Sequence, residues 1–116
     1  MPSESPLEIT PQEIQALKGS GETLIFIDVR EPNEWELSRI DGATLIPMGA
    51  VPISLQAIEN KADDGALVIY CHHGVRSLQV AAWLRERGIP CCYSMTGGID
   101  RWSREIDPTV PPVLRR

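Results

Sequence analysis

Short apolar runs alternate with segments of helical periodicity along this chain. Four runs are predicted to be strands: TLIFIDV (23–29), ATLIP (43–47), ALVIY (66–70) and IPCCYSM (89–95). The first is apolar and β-branched, which is typical of a strand buried on both faces. The segment Ser77 to Arg87 has apolar residues at helical spacing and is followed by Gly88, which suits a C′ position. The alternation predicts an α/β fold, with a parallel sheet covered by helices on both faces.

Shorter signals complete the predicted element order. Thr10, Pro11 and Glu13 form a capping-box pattern that starts a helix after a short extended piece. Three further short helices are predicted after Glu31, over Ile53 to Ile58, and after Gly97-Gly98. With the first extended piece the sheet has about five strands.

Length and composition indicate one soluble domain. The 116 residues suffice for a single core, which we expect over residues 8–106 of a domain spanning 1–116, and the proline-rich segment 107–116 is expected to lie over the surface or fray. The net charge of −5 argues against a nucleic-acid partner. No apolar run approaches the length that a bilayer requires, so no membrane span is expected. Nothing in the sequence demands more than a monomer.

The three cysteines indicate a reducing environment. The first ten residues, MPSESPLEIT, contain neither the basic region nor the apolar region of a secretory signal. Free thiols in a chain without such a signal predict a cytoplasmic protein.

The stretch YCHHGVRS (70–77) contains the candidate chemistry. In parallel sheets ligands bind at the carboxyl ends of strands, where Asp28 and Cys71 fall. A loop between a strand end and a helix start directs backbone N–H groups at one centre and forms an anion nest, in which Cys71 would be stabilised as a thiolate. Gly74 would allow the turn, and Arg76 would supply positive charge for an incoming oxyanion. Without this context, a cysteine at a strand end is more often an inert buried thiol.

Four stretches together resemble the single-domain rhodanese family of sulfurtransferases, over roughly Glu8 to Ile106. They are IDVREPNEWELSRIDGA (27–43), ATLIPMG (43–49), YCHHGVRS (70–77) and GGIDRW (97–102). One departure is Ser38-Arg39, where the family commonly has Gly-His; that region is thought to be structural.

The resemblance implies a ping-pong sulfur transfer through Cys71. The thiolate would take the outer sulfur of thiosulfate, release sulfite, and pass the sulfur from a persulfide to cyanide, a thiol or a protein cysteine. Neither a metal nor an organic cofactor is implied. The main-chain amides of the loop would hold the persulfide and Arg76 would direct the donor's sulfonate, so the substrate-binding set is His72, His73, Gly74, Val75, Arg76 and Ser77.

Two alternatives remain open at this point. Phosphatases and arsenate reductases on the same fold also use a cysteine in an anion loop, but their loop reads C-x5-R, whereas Cys71 to Arg76 is C-x4-R and Ser77 stands where the longer loop has arginine. The second alternative is a sulfur-relay or partner-binding module with little turnover of free substrates; the presence of a cysteine at position 71 argues against a purely non-catalytic module.

The remaining polar residues have structural interpretations beside functional ones. Adjacent histidines on a loop are expected to point in different directions, so His72 and His73 are not expected to bind zinc with Cys71, and their roles stay open. Asp28 is expected to orient loop amides or arginine side chains, and Arg30 to pair with Glu34 and stabilise the turn.

The pair Cys91-Cys92 invites a redox interpretation. Neighbours in a strand face opposite sides, so one thiol should be in the core and the other half covered. A role as resolving thiol for Cys71 is a minor alternative.

Overall fold

The computed structural model describes residues 6–110. Five strands form one parallel sheet: β1 (Glu8–Ile9), β2 (Leu24–Asp28), β3 (Thr44–Leu45), β4 (Ala66–Tyr70) and β5 (Cys92–Met95), in the order β1-β5-β4-β2-β3. The α-helices are α1 (Pro11–Gly19), α2 (Pro32–Leu37), α3 (Leu55–Ala62), α4 (Val75–Glu86) and α5 (Gly98–Glu105), and two 3₁₀ turns lie at Met48–Ala50 and Pro52–Ser54. The predicted α/β class and five-stranded parallel sheet are confirmed.

Side-chain alternation along β4 creates two apolar cores, one on each face of the sheet. Leu67 and Ile69 pack with α3 and α4 residues such as Ile58 and Leu84. Val68 and Tyr70 face the other side and pack with a group from α1, α5 and the following turn: Ile14, Ile99, Trp102 and Val110. A strand that is buried on both faces needs a continuous apolar sequence, which is why ALVIY shows no polar position.

Several element boundaries differ from those predicted. The strand expected over 43–47 is reduced to Thr44–Leu45, because it is an edge strand paired only with β2 and is followed by Pro47, which has no N–H to donate. The strand expected over 89–95 begins at Cys92. Helix α4 begins at Val75, two residues before the predicted start, since its first hydrogen bond runs from the Leu78 N–H to the Gly74 carbonyl.

The segment after Ile106 is more ordered at its start than predicted. Val110 is buried in the core beside α5, and its carbonyl accepts a hydrogen bond from the Ser103 hydroxyl. The expectation of a surface tail from residue 107 is therefore wrong at Val110, whereas Pro108 and Thr109 are exposed as expected; the remainder, 111–116, lies outside the described residues.

Within residues 6–110, no helix combines the length and the apolar character that crossing a bilayer demands.

Candidate active site

Cys71 follows directly after β4, at the carboxyl edge of the sheet, and starts the loop that leads into α4. The residue is only 1% exposed, so its sulfur lies at the bottom of the loop. Two backbone donors reach Sγ: the N–H of Gly74 at 3.1 Å and the N–H of Ser77 at 3.4 Å. Both belong to the N-terminal cap and first turn of α4, where backbone N–H groups have no partner within the helix. The arrangement stabilises negative charge on sulfur.

A buried pair of hydroxyl groups extends this environment below the sulfur. The Cys71 thiol donates to Ser77 Oγ over 3.5 Å, and Ser77 Oγ lies 2.7 Å from Ser94 Oγ, on β5. Both serines are fully buried. When Cys71 is a thiolate, the Ser77 hydroxyl can rotate to donate to the sulfur while Ser94 donates to Ser77. Ser77 therefore lies beneath the Cys71 sulfur, on the side away from solvent.

Helix α5 orients the active loop, residues 71–77, through two backbone hydrogen bonds. The N–H of Ile99 donates to the Cys71 carbonyl at 2.8 Å, and the N–H of Asp100 donates to the His72 carbonyl at 3.2 Å. Because both carbonyls point toward α5, the N–H groups of the same two peptide planes point away from it. Gly74 has φ +104, a conformation that favours glycine, and it completes the turn into α4.

Arg76, in the first turn of α4, makes a bidentate ion pair with Glu34 on α2. Nη1 lies 2.9 Å from Oε1 and Nη2 lies 3.0 Å from Oε2. These hydrogen bonds are the main cause that lowers the pKa of Glu34 to about 2, with a further contribution from the Glu31 N–H. Glu34 also raises the pKa of Arg76. Both groups are charged throughout the physiological range.

The ion pair predicted between Arg30 and Glu34 is wrong. Arg30 is fully buried and binds Asp28 instead, with 2.7 Å between Nη2 and Oδ2 and 3.0 Å between Nε and Oδ1, and it also donates to the Ser38 carbonyl. Asp28 in turn accepts from the Arg30 N–H at 2.9 Å. The physical reason is proximity: Asp28 ends a buried strand, so its carboxylate needs a buried cation, and Arg30 is two residues away.

The buried Asp28–Arg30 pair packs beside β4, the strand that ends directly before Cys71. The Arg30 guanidinium lies 5.8 Å from the centre of the Tyr70 ring, and Tyr70 is the residue before Cys71. The Tyr70 hydroxyl accepts from the Ile40 N–H at 3.1 Å. Burial, followed by the charge of Asp28, raises the pKa of Tyr70 above its usual value. Asp28 and Arg30 thus act on the site through the packing of β4.

The prediction that the side chains of His72 and His73 point in different directions is wrong. Their rings stack, with 3.8 Å between centroids and 22° between planes. Burial, and then the neighbouring His73, lowers the pKa of His72. His73 is exposed and lies 3.7 Å from Asp100, which also pairs with Arg104. The ligand atoms of His72, His73 and Asp100 lie within 4.8 Å of one another, but stacked rings do not aim two nitrogens at one metal position.

Cys91 and Cys92 lie at the opposite edge of the sheet from Cys71. Cys92 pairs in register with Leu67 at the start of β4, four residues before Cys71, a separation of about 13 Å along the strand. A disulfide needs Cα atoms about 4.4–6.8 Å apart, so neither thiol can resolve Cys71 in this fold. Cys92 is buried, and this burial raises the pKa of its thiol to about 11; Cys91 is exposed, where half-covered was expected.

Sequence reasoning missed two residues of this site. Glu34 is 42 positions from Arg76, and no spacing rule connects them. Ser94 could have been found from the sequence. It is a polar residue inside the buried run CYSM of β5, and such a residue needs a hydrogen-bond partner within the core.

Fold and site together define a class: α/β proteins with a cysteine in an anion-binding loop at the carboxyl edge of a parallel sheet. The chain belongs to the rhodanese-like domain family, whose model matches residues 10–105. It is 32% identical over 105 residues to a protein named sulfurtransferase from Allochromatium vinosum, covering 90% of this chain and 95% of that protein. It is 31% identical to the thiosulfate sulfurtransferase GlpE of Pseudomonas fluorescens, covering 81% and 82%.

Similarity to a longer protein and to a solved structure identifies the same family. The chain is 37% identical over 100 residues to the probable adenylyltransferase/sulfurtransferase MoeZ of Mycobacterium tuberculosis; the match covers 86% of this chain but only 25% of that protein. The structure of the human single-domain sulfurtransferase TSTD1 superimposes with a TM-score of 0.72 at 26% identity, over 87% of this chain and 98% of that one. The resemblance to the rhodanese family is confirmed, and the relatives described above from Allochromatium vinosum, Pseudomonas fluorescens and human, which match along most of both chains, are named sulfurtransferases.

Proposed function

We propose that this protein is a sulfurtransferase that carries sulfane sulfur as a persulfide on Cys71. The observation that carries the proposal is the position of Sγ, which receives N–H groups from Gly74 at 3.1 Å and Ser77 at 3.4 Å at the start of α4. Backbone N–H donors favour negative charge on the sulfur, and the thiolate is the nucleophilic form of cysteine. The similarity to GlpE and to other sulfurtransferases supports sulfur as the group transferred.

The first displacement loads the enzyme. The Cys71 thiolate attacks the outer sulfur of a donor such as thiosulfate, a new S–S bond forms, and the bond to the sulfonate sulfur breaks. Sulfite leaves with the electron pair of that bond. The outer sulfur of the persulfide extends about 2 Å from Sγ toward the mouth of the loop. We propose that amides of the segment from His72 to Arg76 hold its negative charge, as the backbone donors to Sγ hold the resting thiolate.

The second displacement returns the enzyme to its resting form. A nucleophile such as cyanide, a small thiol or a protein cysteine attacks the terminal sulfur, and the electron pair of the S–S bond returns to Cys71. The two steps leave the oxidation balance unchanged and need neither a metal nor an organic cofactor. We propose that the monomer is competent, since the segment from Cys71 to Ser77 supplies its own N–H donors to Sγ. The requirement for a free thiol fits the cytoplasm.

Intact mass after treatment with thiosulfate tests this function. The wild-type protein should gain the mass of one sulfur atom and lose it on addition of cyanide. Cys71→Ser should gain nothing, whereas Cys91→Ser, which removes an exposed thiol far from the loop, should load like the wild type. Hydrolysis of an aryl phosphate through Cys71, without any loading by a sulfur donor, would favour the phosphatase alternative and contradict the proposal.

A further inference from the structure

Arg76, the cation of the loop itself, is already engaged. It precedes Ser77, whose N–H lies 3.4 Å from Sγ, so Arg76 stands in the same first turn of α4 that contacts the sulfur. Yet both terminal nitrogens of Arg76 bind Glu34, at 2.9 and 3.0 Å. An anion that approaches the loop therefore meets a neutral pair in place of a free guanidinium.

Glu34 is held in this position by its own helix. Its Oε1 accepts the Glu31 N–H at 2.8 Å, which is the capping box of α2. The carboxylate thus has three donors, two from Arg76 and one from the backbone. Its side chain is 21% exposed and that of Arg76 is 33% exposed, so the pair is partly shielded from water. A bidentate pair with this geometry is stronger than an ordinary surface ion pair.

The pair affects donors differently according to charge. Thiosulfate carries a sulfonate and two negative charges, and must either displace Glu34 from Arg76 or bind beside a carboxylate. An organic persulfide has no sulfonate and needs no arginine. Exposed apolar side chains also lie close by in the chain: Leu37 is three residues after Glu34 on α2, and Val75 precedes Arg76. Apolar surface suits the carbon-bearing part of an organic or protein donor.

We propose that Glu34 sets the donor specificity of this site: by binding Arg76 it disfavours sulfonate donors such as thiosulfate and leaves organic or protein persulfides as the preferred donors. The inference rests on the proposed sulfur transfer through Cys71. In the loading step the Cys71 thiolate attacks the terminal sulfur of R–S–SH, the donor S–S bond breaks, and R–S⁻ leaves with the electron pair. Cys71 then carries S–SH, so atoms and electrons balance.

Glu34→Gln is the primary test, since glutamine preserves the side-chain size and the capping acceptor but removes the charge. Its kcat/KM for thiosulfate should rise about tenfold, mainly through a lower KM, because Arg76 becomes an unopposed cation. Its kcat/KM for an alkyl persulfide, which has no sulfonate and at most one negative charge, should rise less than about twofold, because that donor does not compete with Glu34 for Arg76. Glu36→Gln removes the same charge from an exposed position on the same helix and should leave both donors unchanged.

A double-mutant cycle tests whether Glu34 affects the donor through Arg76. Arg76→Ala leaves Glu34 as a lone anion at the mouth and should lower thiosulfate use more than alkyl persulfide use. Arg76→Ala with Glu34→Gln should return thiosulfate use to about the wild-type level, since the mouth is neutral again. If Glu34→Gln fails to fold, as shown by a lost thermal transition, the comparison of Arg76→Ala with the double variant still measures the effect of the Glu34 charge.

The outcomes separate the two proposals. If the alkyl persulfide loads Cys71 but thiosulfate kinetics are unchanged in Glu34→Gln, the assignment of Glu34 is overturned while the sulfurtransferase function stands. A gain in Glu34→Gln that is equally large in Glu36→Gln would show a general charge effect and would also overturn it. If neither donor loads the wild-type protein, the proposed function itself fails.

Discussion

The backbone N–H of Ile99 donates a hydrogen bond of 2.8 Å to the carbonyl of Cys71. This contact joins α5 to the proposed nucleophile and is possible only because Gly98, directly before Ile99, has no side chain. A Cβ atom at Gly98 would lie 2.2 Å from the His72 carbonyl oxygen and 2.5 Å from that of Cys71. The close approach therefore sets the orientation of the active loop.

Gly98→Ala should disrupt both stability and sulfur loading. The clash is with backbone atoms, which cannot move aside as a flexible side chain can, and φ at this position is +64. We expect the variant to lose roughly 2–5 kcal/mol of unfolding free energy from left-handed strain and overpacking together. Urea denaturation gives the free energy, and intact mass after thiosulfate or alkyl persulfide gives the loading.

Gly42→Ala is the matched control for this substitution. Gly42 has φ +87, but its Cβ would meet nothing within 4 Å. Strain alone should cost about 1–2 kcal/mol there, with loading of Cys71 unaffected. Equal losses in the two variants would mean that the contact of Gly98 with the active loop contributes nothing.

Ser77→Ala should slow sulfur loading and lower the free energy of unfolding by about 1–3 kcal/mol, because the buried Ser94 hydroxyl loses this partner. The variant keeps the backbone N–H donor to Sγ but loses the hydroxyl, and a hydrogen bond to a charged group contributes about 1.5–3 kcal/mol, or roughly tenfold or more in rate if fully expressed. Ser94 acts on the sulfur only through the Ser77 hydroxyl, so Ser94→Ala should slow loading by a smaller factor. Stopped-flow measurement of thiolate consumption reports both rates.

A control separates the hydroxyl chain from general loss of a buried hydrogen bond. Ser103 is also buried, and its hydroxyl donates to the Val110 carbonyl away from the loop. Ser103→Ala should lower stability while the loading rate stays at the wild-type value. Loading rates that follow stability across all three variants would contradict a role for Ser77 and Ser94 at the sulfur.

Cys91 and Cys92 should differ sharply in reactivity despite being adjacent. Burial raises the pKa of Cys92 to about 11, and its thiol donates to the Ile89 carbonyl at 3.2 Å, so it should resist iodoacetamide at pH 8 in the folded protein. Cys91 is exposed and should be alkylated. Peptide mapping after brief alkylation measures each site, and urea should remove the difference. A Cys71–Cys92 disulfide after mild oxidation of folded protein would contradict the separation of the two thiols.

The Glu34–Arg76 pair should make stability depend on pH in an acidic window. The pKa of Glu34 falls from an ordinary 4.5 to about 2 on folding, so between these values the unfolded chain binds the proton and the folded chain does not. The stabilisation is therefore complete above about pH 5 and is lost as pH falls toward 2. Thermal melts should show the advantage of wild type over Glu34→Gln shrinking from pH 5 to pH 3, with no change between pH 6 and pH 8.

Much of the fold was predictable from local patterns. The run ALVIY could only be a strand buried on both faces, and Thr10, Pro11 and Glu13 form the capping box that was expected, with Thr10 Oγ accepting from the Glu13 N–H. The candidate nucleophile was predictable for the same reason, since its position at a strand end before a helix is a local property of the chain. Boundaries such as the end of β3 were less predictable, because they depend on which neighbouring strand supplies hydrogen bonds.

Local sequence patterns establish the type of each main element and the length of the loop between Cys71 and Arg76, because these depend on neighbours a few residues apart. Three contacts depend instead on the folded arrangement: Arg76 binds Glu34, Arg30 binds Asp28, and Gly98 packs on the His72 carbonyl. Burial selects the partner of an ion pair by the cost of leaving a charge unpaired, and that cost depends on the packing of the whole sheet. The charge that a sulfur donor meets at Cys71 is therefore a property of the folded molecule.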